Sequence, residues 1–201
     1  MSQNDQLTDI QSQQMLVDRF APRHDFIRAG HLVVDADPAT TYRAAREVDF
    51  ASVRAPLVTL SMWARGVPER MRSRHAPPRP PTRMTLDDLV AASDWRILGE
   101  RPGSEVAFGV IGKFWKPVIE WRSFEADDFA DFDEPGYGKI VCSLSVVPYG
   151  RDRTLLTYDV RTILDDSLSL KRFRRYWLLI NPFVGVIERA VLSTIAASAQ
   201  R

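Results

Sequence analysis

The chain has 201 residues, 45% hydrophobic and 26% charged, with 27 Lys+Arg against 26 Asp+Glu and a formal net charge of +1. A chain of this size and composition folds as one domain without disulfides or a structural metal, and a near-neutral balance excludes a dedicated nucleic-acid binder, which needs a cationic excess against phosphate. The single cysteine, Cys142, cannot form an internal disulfide and sits in an apolar strand pattern, so it reads as an inert buried thiol.

The opening MSQNDQLTDIQSQQ is polar and aperiodic, with neither the basic start nor the apolar run of a signal peptide. Residues 1–22 are expected to form a polar tail, mobile at its start, and residues 23–201 the domain. No apolar run approaches the roughly 20 residues of a membrane span, and the expected compartment is the cytoplasm. A first strand is predicted over Phe26–Asp35. A helix follows over Pro38–Val48, with Asp37 as its cap and Pro38 at the first position, where a missing N–H costs nothing.

A second helical piece, APLVTLSMWARG, ends at Gly66 and Pro68. The stretch ERMRSRHAPPRPPTR is proline-rich and reads as an extended connector, with residues 74–83 also available as a docking motif for a partner. A short helix, TLDDLVAA, leads into strands over WRILGERP, SEVAFGVIG and WKPVIEWRSF, separated by turn signals at Pro-Gly and Gly-Lys. After an acidic helix, ADDFADF, two longer strands follow, GKIVCSLSVVPY and RTLLTYDVRTIL. A long helix over Ser167–Ser198 closes the chain, opened by Asp165, Asp166 and Ser167.

This order, with the segment GKFW, the strand TYDVRT and the helix FRRYWLLINPFVGVIERAVL, resembles the SRPBCC superfamily over about residues 25–198. Those helix-grip proteins include START lipid-transfer domains and polyketide cyclases. The resemblance implies an α+β fold in which an antiparallel sheet of about six or seven strands grips the C-terminal helix. It implies a cavity between the two, and a ligand or reaction that the fold alone does not name. In the resembling subgroup a small residue follows the proline of the terminal helix, where Phe183 and Val184 stand here.

The run GVIGKFWKP has the glycines and lysine of a phosphate loop but not its spacing. A P-loop puts four residues between its glycines and a hydroxyl after the lysine; here only Val110 and Ile111 intervene and Phe114 follows Lys113. Gly112-Lys113 therefore reads as a hairpin turn, and Phe114 with Trp115 as apolar wall. The two-residue period places Pro117, Ile119 and Trp121 on one face of their strand, opposite Lys116, Glu120 and Arg122. It places Leu156, Tyr158, Val160 and Thr162 inward, and Asp159 and Arg161 outward as a surface or sheet-edge ion pair. Phe108 and Val110 are assigned inward.

On the terminal helix, Leu170, Phe173, Trp177, Ile180, Val184, Ile187 and Val191 recur at three- and four-residue intervals, and Tyr176 and Phe183 broaden the stripe. Pro182 lies inside this pattern and should kink or break the helix near 178–182. Lys171, Arg172, Arg174 and Arg175 form a basic cluster that reads as a solvated face, or as a contact for an acidic headgroup or membrane surface.

Catalytic groups are scarce. His24, His31 and His75 are scattered, and the acidic run Asp127, Asp128, Asp131, Asp133 and Glu134 lacks the spacing of a calcium loop. No catalytic residue, metal or cofactor is expected. The reading is a binder of a small hydrophobic or amphipathic molecule, in a cavity lined by Phe108, Val110, Ile119, Trp121, Leu156, Tyr158, Val160, Tyr176, Trp177, Ile180 and Phe183. Two alternatives stay open: a cyclase-like enzyme using Tyr158 and Thr162, and an interaction module whose cavity has collapsed.

Overall fold

In the computed structural model, residues 14–51 and 83–201 are described. The helix predicted over 55–66, His75 and the proline-rich stretch up to residue 82 lie outside the described residues. The elements are α1 (Leu16–Phe20), β1 (Phe26–Val34), α2 (Pro38–Arg46), α3 (Leu86–Ala92), β2 (Arg96–Arg101), β3 (Glu105–Gly112), β4 (Trp121–Arg122), β5 (Gly138–Pro148), β6 (Thr154–Leu164) and α4 (Ser167–Ala199). The six strands form an antiparallel sheet of order β1-β6-β5-β3-β2, with β4 paired to β3. This is an α+β, helix-grip-like arrangement.

Local chemistry sets the helix starts. The Asp37 carboxylate accepts from Thr40 N at 3.0 Å, and Pro38 fills the first turn of α2. Thr85 and Asp88 cap α3 reciprocally, the backbone N–H of each meeting the side chain of the other. Asp166 accepts from Leu168 N and Ser169 N at 2.9 and 2.8 Å; hydrogen bonding from the Ser169 side chain and backbone above all, then from Gly136 N and Leu168 N, holds its carboxyl down at about 2.

Strand alternation divides the sheet into two faces; both are covered over β3, while the alternate residues of β1 on the second face stay exposed. One face presents Val106, Phe108, Cys142, Leu144, Leu156 and Tyr158 to α2 and the second half of α4, where Val191, Leu192 and Ile195 complete the main core. Burial there pushes the Cys142 thiol up to about 12 and raises the Tyr158 hydroxyl well above its usual range. The other face carries Leu98, Ala107, Ile111 and Val141, and it is covered by α1 and by Phe129 of the acidic segment. β3 is therefore buried along its whole length, which explains why SEVAFGVI is apolar on both faces.

Four expectations are corrected here. Residues 16–21 are not tail: Leu16, Val17, Phe20 and Ala21 are buried, and the Glu105 carboxylate accepts from Leu16 N at 2.7 Å and Val17 N at 3.4 Å. Burying the three larger side chains gains about 5–9 kcal/mol, against about 5–10 kcal/mol for ordering a five-residue helix. The Glu105 bonds tip that balance. The same helix covers Asp159 and Arg161, which face outward as predicted but are not on the surface. Arg161 is 11% exposed and binds Asp159 at 3.1 Å, Asp18 at 2.7 Å and the Ala21 carbonyl at 3.0 Å. The strand expected over 115–124 shortens to Trp121–Arg122, because residues 113–120 form a loop closed by Lys113 N to Glu120 O at 2.9 Å. The acidic helix contracts likewise to a single 3-10 turn, Ala126–Asp128.

The terminal helix is not broken at Pro182; it is continuous from Ser167 to Ala199. Proline deprives the Leu178 carbonyl of its partner, but Leu178 is 76% exposed, so water reaches that turn. The helix is long and apolar enough to cross a membrane, a property hidden in sequence by its interspersed polar residues, yet it packs against β1, β6 and α2. Its closest approach is to β1, where Arg28 Nε meets Glu188 at 2.8 Å and Arg28 Nη1 donates to Asn181 Oδ1 at 3.0 Å. Glycine makes room on both sides: a Cβ at Gly30 would collide with the Glu188 carboxyl, and one at Gly185 with the Arg28 guanidinium.

Candidate functional site

Between the first half of α4 and the sheet lies a cavity of about 200 Å³. Its floor is β-branched: Val110 from β3, Ile140 from β5, and Val160 and Thr162 from β6, all on the α4-facing side. Its walls are aromatic. Phe173, Tyr176 and Trp177 descend from α4 at helical spacing, Phe114 and Ile119 come from the 113–120 loop, and Trp95 precedes β2. Trp121, 43% exposed, is the one exposed residue of the lining and marks the mouth.

Phe173 organises the walls. Its ring centroid lies 5.0 Å from Phe26, 5.6 Å from Tyr176, 5.9 Å from Trp177, 6.4 Å from Trp115 and 6.5 Å from Phe114. All but the stacked Trp177 contact are tilted or edge-on, as the aromatic quadrupole favours. Phe114 also meets Trp121 edge-on at 6.0 Å, so the mouth and the inner wall belong to one aromatic cluster. Among the described residues the lining holds no carboxylate, imidazole, amine or thiol; their polar side-chain groups are the Thr162 and Tyr176 hydroxyls and the tryptophan indoles.

Of the residues singled out from sequence, Val110, Ile119, Trp121, Val160, Tyr176, Trp177 and Ile180 line this cavity. Phe108, Leu156 and Tyr158 point to the same side of the sheet but lie further along it, inside the close-packed main core. Phe183 is half-buried and outside the lining. Sequence reasoning left Trp95, Phe114, Ile140, Phe173 and Val184 off the candidate list, although Phe173 and Val184 belong to the helical stripe and carry its signal. Trp95 opens the strand expected over WRILGERP but stands just before β2 in the structure.

The lysine of GVIGKFWKP is held in a structural role. Lys113 Nζ pairs with Glu120 at 3.1 Å and sits 4.3 Å from the Tyr137 ring centroid, and Lys116 pairs with the same carboxylate. A second, larger recess is lined by Arg46, Glu47, Arg83, Thr85, Asp87, Asp88 and Glu100. Four of those side chains are already used within the fold: Arg46 pairs with Asp87 at 2.7 Å and Glu100 at 3.3 Å, and Asp88 caps α3. Among the described residues no group of three or more His, Cys, Asp or Glu is disposed to hold a metal ion.

No family model and no curated protein matches the chain. Solved structures do. The chain is similar to protein Mll3558 from Rhizobium loti (12% identity, 86% of this chain and 96% of that one, TM-score 0.36). It is similar to protein CV1439 from Chromobacterium violaceum (12% identity, 87% and 97%, TM-score 0.36). It is also similar to CalU16 from Micromonospora echinospora (12% identity, 87% and 83%, TM-score 0.29).

Proposed function

We propose that the protein binds a small apolar molecule in the cavity between α4 and the sheet, as the resemblance to SRPBCC proteins implies. The observation that carries this reading is the lining itself: aromatic and β-branched side chains surround an open volume of about 200 Å³. Apolar cavities of about 150 Å³ hold a single benzene ring, so the ligand is about one substituted ring in size, with any longer part leaving past Trp121. The Thr162 and Tyr176 hydroxyls give such a ligand one or two polar contacts for orientation.

Native mass spectrometry of freshly purified protein tests the reading. The expected spectrum has a second species heavier by one small-molecule mass, removed by mild collisional activation. A ligand-free spectrum, together with no retention of any added one-ring compound, would contradict it.

A further inference from the structure

The first half of α4 turns one face to the cavity and the other away from the protein. At about 100° per residue, Lys171, Arg174, Arg175, Leu178 and Pro182 share that outward face, with Leu168, Arg172 and Leu179 along its edge. The leucines are uncovered: Leu168 is 54% exposed, Leu178 76% and Leu179 69%. Between Ser167 and Ile187 the helix has four cations and no acid. Among the described residues none of those four makes an ion pair, whereas Arg28, Arg46, Arg101, Arg122 and Arg161 all do. Beside the cavity mouth, Val118 and Trp121 are also about half exposed.

We propose that this face of α4 docks on an anionic bilayer surface. Leu178, Leu179 and Pro182 enter the boundary between headgroups and acyl chains, and Lys171, Arg172, Arg174 and Arg175 meet lipid phosphates. The arrangement fits lipid better than a protein partner. Protein interfaces centre on aromatic anchors seated in pockets, while this face offers flat aliphatic side chains bordered by unpaired cations. It fits surface docking better than insertion, because the opposite face of α4 is committed to the sheet through Phe173, Val191 and Ile195. Trp121 at the mouth has the chemistry preferred at a membrane interface. The proposal is independent of whether the cavity holds a ligand.

The test is co-sedimentation of the full chain with vesicles of phosphatidylcholine alone or with about 30% phosphatidylglycerol. Binding is expected to the anionic vesicles and to weaken in 0.5 M salt, as screening requires. Each cation near the surface is worth about fivefold in affinity, so Arg174→Glu with Arg175→Glu should lower it at least about 30-fold. Leu178→Gln with Leu179→Gln should lower it at least about tenfold. The turn variant Arg151→Glu with Arg153→Glu, of matched charge change, should leave it unaltered, and unchanged thermal midpoints show that the variants fold. No binding to anionic vesicles, equal binding to neutral ones, or binding indifferent to both double variants overturns the proposal. So does a dimer in solution that Leu178→Gln with Leu179→Gln dissociates, since the face would then belong to a second copy of the chain.

Discussion

Val184→Phe and Val106→Phe add the same four carbons at two inward-facing sites, and the structure predicts opposite outcomes. Val184 borders the cavity, so the new ring can occupy existing space. Burying four carbons there gains at most about 3 kcal/mol at about 0.8 kcal/mol each, offset by about 1–3 kcal/mol of rotamer and backbone adjustment. The net change should stay within about 1 kcal/mol of zero. Val106 is fully buried in the main core and does not line the cavity. Overpacking there should cost about 1–3 kcal/mol with nothing to offset it. Urea unfolding followed by circular dichroism reads both values, provided the slope with denaturant is unchanged so that midpoints report stability. If Val184→Phe destabilises as much as Val106→Phe, the space beside Val184 cannot take a side chain, and the claim of a usable cavity fails.

Two further outcomes follow from the polar groups. The Asp166 carboxyl, ordinarily near 3.8, is held at about 2 in the folded chain, so its contribution is complete above pH 4 and is lost as pH falls from 4 towards 2. That contribution is at most about 2 kcal/mol, less for solvent screening; Asp166→Asn should therefore be less stable than the parent at pH 7 and equal to it near pH 2, by urea midpoints at both. Gly30→Ala should cost about 1–3 kcal/mol by driving its methyl into the Glu188 carboxyl, and Gly30→Ala with Glu188→Ala should recover part of that, a coupling of at least about 0.5 kcal/mol in a double-mutant cycle.

The sheet and its facing were legible because alternation and turn residues agree along β5 and β6, which are long enough at eleven residues each to fix register. What covers the outer face was not. Met15, Leu16, Val17 and Phe20 carry the spacing of a one-turn helix, but five residues give too short a pattern to separate from a polar tail, and Glu105 is remote in sequence. That omission made Asp159 and Arg161 look exposed. Ile119 and Trp121 reach the cavity from a loop and a two-residue bridge, so the strand periodicity that singled them out was not the cause of their placement. Phe108, Leu156 and Tyr158 show the limit of a facing argument: period two gives the side of the sheet, and only the tilt of α4 across it decides which part of that side stays open.

The central claim is that the cavity takes a one-ring apolar molecule, and its own tryptophans report on it, since Trp95, Trp121 and Trp177 all line it. Titration of the protein with iodobenzene, a one-ring heavy-atom quencher, while following tryptophan emission is the most direct measurement. Saturable quenching at one equivalent per chain, abolished in Val184→Phe, is the predicted result. Quenching that rises linearly without saturation, or saturates identically in Val184→Phe, contradicts it.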